Sequence, residues 1–237
     1  MLPALENIFY GANLSNILAA HKHWVLDVLA WLPYGITHFG APFVCSALMF
    51  IFAPPKYVPV FARTFGYMNM IGVIIQLAFP CSPPWYENMY GLAPANYSIP
   101  GSPAGLAAVD RLFGIDLYTS TFTASPLVFG AFPSLHSANA TLEALFMSNI
   151  FPRLTPLFIV YVMWLWWSTM YLSHHYAVDL VGGSLRKLKS SQLRITTNMS
   201  CSRRYLFLHR QVQISSAFTM GQGVTLGLRL HRDRRYT

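Results

Sequence analysis

Val28–Ala53 reads VLAWLPYGITHFGAPFVCSALMFIFA, 26 residues without one Asp, Glu, Lys or Arg. As a helix it would measure about 39 Å, enough to cross a hydrocarbon core of about 30 Å with tilt. Pro33 and Pro42 are expected to kink it, which membrane helices tolerate because neighbours re-satisfy the freed backbone groups. Working outward, the same pattern recurs. Thr64–Pro80 is uncharged, and Pro156–Leu172 (PLFIVYVMWLWWSTMYL) is the clearest span after the first. Ser137–Phe151 is weaker because Glu143 sits in its middle. A further span starts at Tyr176 and stops early, at Ser184. These readings give an all-α fold: a polytopic transmembrane helical bundle.

Composition agrees. Of 237 residues, 54% are hydrophobic and 10% charged, where soluble domains carry roughly 25% charged residues. That excludes disorder for most of the chain and argues against a water-soluble globule. The net charge of +8 is unevenly placed. Met1–Ser184 holds five basic residues (Lys22, Lys56, Arg63, Arg111, Arg153) against seven acidic ones, and Leu185–Thr237 holds eleven against Asp233 alone. The excess therefore says nothing about what the body binds. The organisation expected is an interfacial helix within residues 1–24, a membrane domain over 25–184, and a basic, disordered tail over 185–237. Spans are expected near 28–53, 64–80, 137–151 and 156–172, with an incomplete one from 176.

Met1–Ala20 lacks a basic start and is interrupted by Glu6, Asn7 and Asn13, so no cleavable signal is read there. Leu2, Leu5, Phe9 and Ala12 recur near helical spacing, as in a short helix lying on a membrane surface. Cys45, Cys81 and Cys201 are odd in number and widely spaced, which supports neither a disulfide framework nor a zinc ribbon.

The connections Pro54–Arg63 and Pro152–Thr155 are short and carry Lys56, Arg63 and Arg153 with no acidic residue. The positive-inside rule puts both in the cytosol. Counting crossings, Cys81–Leu135 and Ser173–His175 then lie on the opposite face. The first is a long loop rich in Pro, Gly, Tyr and Ser, and loops of that length are usually functional. Asn96-Tyr97-Ser98 within it is a glycosylation sequon, a weak signal by itself.

Titratable groups are so scarce that each one at membrane depth needs a reason. His136, in GAFPSLHS, opens one span; His174, His175 and Asp179, in SHHYAVD, lie between two others. His175 and Asp179 are four apart, so on a helix they share a face and can hydrogen-bond. A carboxylate holding one imidazole nitrogen orients the other and raises its nucleophilicity. A second histidine nearby can protonate a leaving oxygen. Two histidines and an Asp at an interface are the parts for metal-free attack on a phosphate ester. Structural roles and a metal site are the competing readings, since His and Asp are common ligands. Glu143, seven residues after His136, either supports the site or is a neutralised residue of the bundle interior. The run Trp164, Trp166, Trp167 reads as lipid contact. No Walker loop, Gly-x-Gly-x-x-Gly, Gly-x-Ser-x-Gly or His-Glu-x-x-His occurs, so nucleotide, hydrolase-fold and zinc-protease chemistry have no support. No cofactor, metal or nucleic-acid partner is expected.

Pro133–His136 (PSLH) followed by His175-x3-Asp179 resembles the signature of the type-two phosphatidic-acid phosphatase superfamily of lipid phosphatases and phosphotransferases. More narrowly, CSPPWYENMYGLAPANYSIPG, FGAFPSLHS and WLWWSTMYLSHHYAVDLVGG are similar to the fungal inositol phosphorylceramide synthase family, from about Leu2 to Gly183. The resemblance implies that His136, His175 and Asp179 are a catalytic triad. It implies transfer of inositol phosphate from phosphatidylinositol to ceramide, both as lipid substrates, in a multi-pass Golgi protein with a luminal site and an accessory membrane subunit. The superfamily's phosphate-binding Arg falls here on Thr169, which argues against a plain phosphomonoesterase. A lipid phosphate phosphatase with the same triad, and an inactive truncated membrane protein, are the alternatives. The latter follows because the family's first spans, and its last helix after Gly183, are expected to be missing. At Ser184 the membrane pattern gives way to LRKLKSSQLRITTNMSCSRRYLFLHRQ, which reads as translation through an unspliced intron or a shifted frame, or else as a functional basic tail that binds anionic lipid.

Overall fold

The computed structural model describes residues 2–125 and 128–184, all within one of the two units into which the chain divides, Met1–Lys189. The basic tail at 185–237 lies outside the described residues. Among the described residues every regular element is helical: α1 (Leu2–Tyr10), α2 (Leu14–Ala20), α3 (Trp24–Trp31), α4 (His38–Phe52), α5 (Tyr57–Ala78), α6 (Pro84–Tyr90), α7 (Leu106–Phe113), α8 (Tyr118–Ala124), α9 (Leu135–Ile150), α10 (Thr155–Tyr171) and α11 (residues 177–184).

Three stretches are long and apolar enough to cross a membrane: Trp24–Phe52, Tyr57–Ala78 and Pro152–Tyr171. Large apolar side chains point outward from them, among them Phe39, Phe43 and Phe50, each more than 60% exposed. Water would penalise such a surface and lipid does not. The protein is a membrane protein.

Three boundaries differ from the sequence expectations, each for a local reason. The first apolar helix starts at Trp24 rather than Val28, because Asp27 is buried and its Oδ1 accepts from the Tyr171 hydroxyl at 2.8 Å. A paired carboxylate does not end a helix. The second starts at Tyr57 rather than Thr64 and carries Arg63 on its exposed side. The N-terminal helix is two helices, not one. Gly11 takes the left-handed conformation (φ 74) that stops α1, and the Asn13 side chain accepts from the Asn16 amide to start α2. Ala12 therefore falls outside α1.

Between α3 and α4 the chain continues as a π-helical turn, Leu32–Thr37, with the His38 amide bonded to the Pro33 carbonyl. Proline 33 supplies no N–H, so the ladder loosens at the place where a kink is expected. The helix stays continuous, its two halves re-phased by the wider turn.

α9 is the inner helix, packed against α4, α5 and α10. Ala138, Ala140, Leu142, Phe146 and Met147 are all buried on it. The long Cys81–Leu135 segment is no open loop: it contains α6, α7 and α8. Leu106 and Val109 of α7 enter the same apolar cluster as Ala30, Tyr34, Leu165 and Leu172. The Asp110 carboxylate accepts from the amides of Tyr118 and Thr119 and from the Thr119 hydroxyl, fastening α8 to α7.

Candidate active site

The Ser134 side chain caps α9 by accepting from the Ser137 amide at 3.3 Å. That cap sets the first turn, and His136 is its second residue. On the other side, α10 ends at Tyr171 and the chain turns through Ser173, whose φ is +61°. The Thr169 carbonyl accepts from the amides of both His174 (2.9 Å) and His175 (3.3 Å). Two elements far apart in sequence are thus each fixed at their ends before they meet.

They meet by backbone contact. The Ser134 amide donates to the Asp179 carbonyl at 3.1 Å, and the Ser137 hydroxyl to the Leu180 carbonyl at 2.7 Å. Gly183 makes the approach possible: a Cβ there would collide with the Ser134 carbonyl oxygen. Only a residue without a side chain lets α11 lie this close.

The result is a relay of three side chains. His175 Nδ1 is 3.1 Å from Asp179 Oδ2, and His175 Nε2 is 3.0 Å from His136 Nδ1. The carboxylate accepts, so His175 carries its proton on Nδ1 and offers a lone pair at Nε2. His136 must then hold its own proton on Nδ1, donating to that lone pair. Asp179 is fully buried and His175 is 5% exposed, so this pair is shielded from bulk water, while His136 is partly exposed. All three sequence-chosen residues come together, although His136 and His175 are 39 residues apart.

Aromatic rings wall the site. Tyr34 stacks on His136 (4.8 Å between centroids) and on His174 (5.1 Å), and His38 lies 4.6 Å from His136. Tyr34 sits within the π-helical turn and His38 directly follows it, so this turn presents both rings to the relay. The sequence does not mark them, because each is one residue in an uncharged span with no spacing to set it apart. His174, noted from sequence beside the triad, is not in the relay. Burial, then its neighbour His175, lower its pKa to about 3 despite a hydrogen bond with the Pro103 carbonyl that acts the other way. It is a neutral wall residue.

Thr169 is buried and donates its hydroxyl to the Trp166 carbonyl at 2.9 Å. Glu143 lies two turns along α9 from His136, with the Tyr161 hydroxyl of α10 3.5 Å from its Oε2. Among the described residues no three His, Cys, Asp or Glu side chains group as a metal site. The arrangement suits nucleophilic attack with acid assistance.

Comparison with known proteins gives a consistent answer. The catalytic subunit aur1 of inositol phosphorylceramide synthase from Schizosaccharomyces pombe is 64% identical over 183 residues, covering 77% of this chain and 43% of its own. The corresponding Saccharomyces cerevisiae subunit is 60% identical over 185 residues, 78% of this chain and 46% of its own. The phosphoinositol dihydroceramide synthase of Bacteroides thetaiotaomicron is 29% identical over 188 residues, 76% of this chain and 61% of its own. The chain thus spans less than half the length of the curated fungal relatives it matches. No solved structure matches. The profile of the PAP2 superfamily matches residues 2–190, which takes in both halves of the His–His–Asp relay, and the chain belongs to that superfamily.

Proposed function

We propose that this chain transfers inositol phosphate from phosphatidylinositol to the primary hydroxyl of ceramide, releasing diacylglycerol. The observation that carries the chemistry is the linear relay Asp179–His175–His136. The substrate assignment rests on the similarity to fungal and bacterial proteins named for phosphoinositol ceramide synthesis. In this reading Golgi membranes house the protein, the site faces the lumen, and an accessory subunit accompanies it, in keeping with relatives named as catalytic subunits.

His175 Nε2 attacks phosphorus while the P–O bond to diacylglycerol breaks, and His136 Nδ1 gives its proton to the departing oxygen. Asp179 stabilises the positive charge that His175 acquires. The ceramide hydroxyl then gives its proton back to His136 Nδ1 as its oxygen displaces His175 from phosphorus. The two nitrogens are 3.0 Å apart, too close for a phosphoryl group between them. An attack distance of about 3 Å, the P–O bond and the leaving oxygen's own hydrogen bond lie in series, so the rings must separate by more than about 3 Å. The nucleophile's lone pair is therefore covered by His136 until lipid enters.

The test is the destination of the headgroup. With label on the inositol phosphate of phosphatidylinositol, membranes containing this chain should move it to ceramide. Release of the label to water would instead support a lipid phosphatase, and no movement an inactive protein.

A further inference from the structure

Glu6 belongs to α1, which contributes no member of the relay. Its side chain is fully buried, and a buried carboxylate is costly unless its oxygens are hydrogen-bonded. Its Oε1 accepts from the Ala177 amide at 3.2 Å and its Oε2 from the Val178 amide at 3.1 Å, across 171 and 172 residues of sequence. These are the first two amides of α11, groups that have no carbonyl partner within the helix.

The local sequence offers no substitute. The residue before α11 is Tyr176, whose hydroxyl donates to Glu87 Oε2 at 2.9 Å and is therefore turned away. Helix starts normally use Ser, Thr, Asp or Asn for this purpose. A negative charge also suits the positive end of the helix dipole. The turn so fixed is the one that matters, since His175 lies two residues before Ala177 and Asp179 two after it.

We propose that Glu6 is a positioning residue, a cap supplied from 171 residues earlier in the sequence that sets the His175–Asp179 geometry. It touches no reacting atom, so losing it should lower turnover and leave substrate binding alone. A misplacement of about 1 Å can cost about a hundredfold in rate.

The kinetic part of the test rests on the proposed transferase reaction; a second part does not. Wild-type, Glu6→Ala and Glu6→Gln chains are compared in membranes. Amide hydrogen exchange is followed at residues 177–178 and, as a control, along Thr155–Tyr171. Glu6→Ala should speed exchange at 177–178 at least about tenfold and leave α10 slow. It should lower kcat at least about tenfold, with KM for both lipids within about twofold of wild type. Glu6→Gln keeps one acceptor oxygen and should recover part of both losses. Unchanged exchange at 177–178 in Glu6→Ala overturns the proposal whatever the activity. So does fast exchange with normal kcat, or a raised KM at normal kcat. If even the wild-type chain moves no headgroup, the transferase reading fails by itself, and exchange at 177–178 decides the role of Glu6.

Discussion

Asp179 accepts from His175 Nδ1 and thereby decides which of that ring's nitrogens is free. Asn in its place can donate to that nitrogen and so favours the wrong tautomer. Asp179→Asn should keep the fold and lose at least about a hundredfold in turnover. His136→Ala should be comparably inactive, and the double variant little worse than either single one, because the relay acts as a unit. Near-normal turnover of the Asn variant in membranes would refute the role of Asp179. His174 makes a separate, pH-dependent prediction. Its pKa falls from 6.5 to about 3 on folding, so between those values the unfolded chain binds a proton that the folded chain does not. Stability must rise with pH across that window and be lost as pH falls. The thermal midpoint in detergent should drop on acidification from pH 6.5, and His174→Gln should flatten that slope. An unchanged slope would mean that His174 is already charged when folded. The relay was legible in the sequence because ionisable groups are rare in so apolar a chain. Tyr34, His38 and Glu6 were not: the first two look like ordinary members of an apolar helix. Glu6 looks like a surface residue until the fold brings it to Ala177.

At the level of elements, the site is the contact between the capped start of α9 and α11. Gly183 is the tightest point of that contact, since any Cβ meets the immobile Ser134 carbonyl. Gly183→Ala should cost about 2 kcal/mol of stability through overpacking, together with most of the activity. Gly66→Ala is the matched control. It lies inside α5 with open space around the added methyl, so it should be neutral or stabilising, by up to about 1 kcal/mol. Equal behaviour of the two variants in a thermal-shift assay would show that the close approach does not limit packing. The long apolar helices were readable from composition alone, because lipid-facing surfaces tolerate few charges. Their ends were not, since a charge stops a reader before it stops a helix once it is paired, as Asp27 is, or exposed, as Arg63 is. The π-helical turn was anticipated only as a kink at Pro33. Its role in aiming two rings at His136 depends on helical phase, which residue spacing does not encode.

For the whole molecule, the sidedness we propose rests on charge in the short connections, and it would put both halves of the relay on one face. Leu92 is 93% exposed in the long segment, and Pro55 is exposed in the opposite connection. In a background lacking Cys45, Cys81 and Cys201, Leu92→Cys should react with an impermeant reagent only from the luminal side. Pro55→Cys should react only from the cytosolic side. Labelling of both from one side would overturn the topology. The all-α membrane class was plain from the sequence, whereas the folding of Cys81–Leu135 into three helices packed on the bundle was not. Its Pro and Gly content hid short amphipathic pieces such as α7. What the assembled molecule does is tested most directly by a single-turnover time course in membranes, with label in the inositol phosphate of phosphatidylinositol and ceramide added after a delay. Before ceramide arrives, label should collect on the peptide containing His175 in an acid-labile bond, and Asp179→Asn should collect none. After addition it should leave the protein and appear in ceramide. Label that reaches ceramide at full rate without ever residing on His175 would contradict the account.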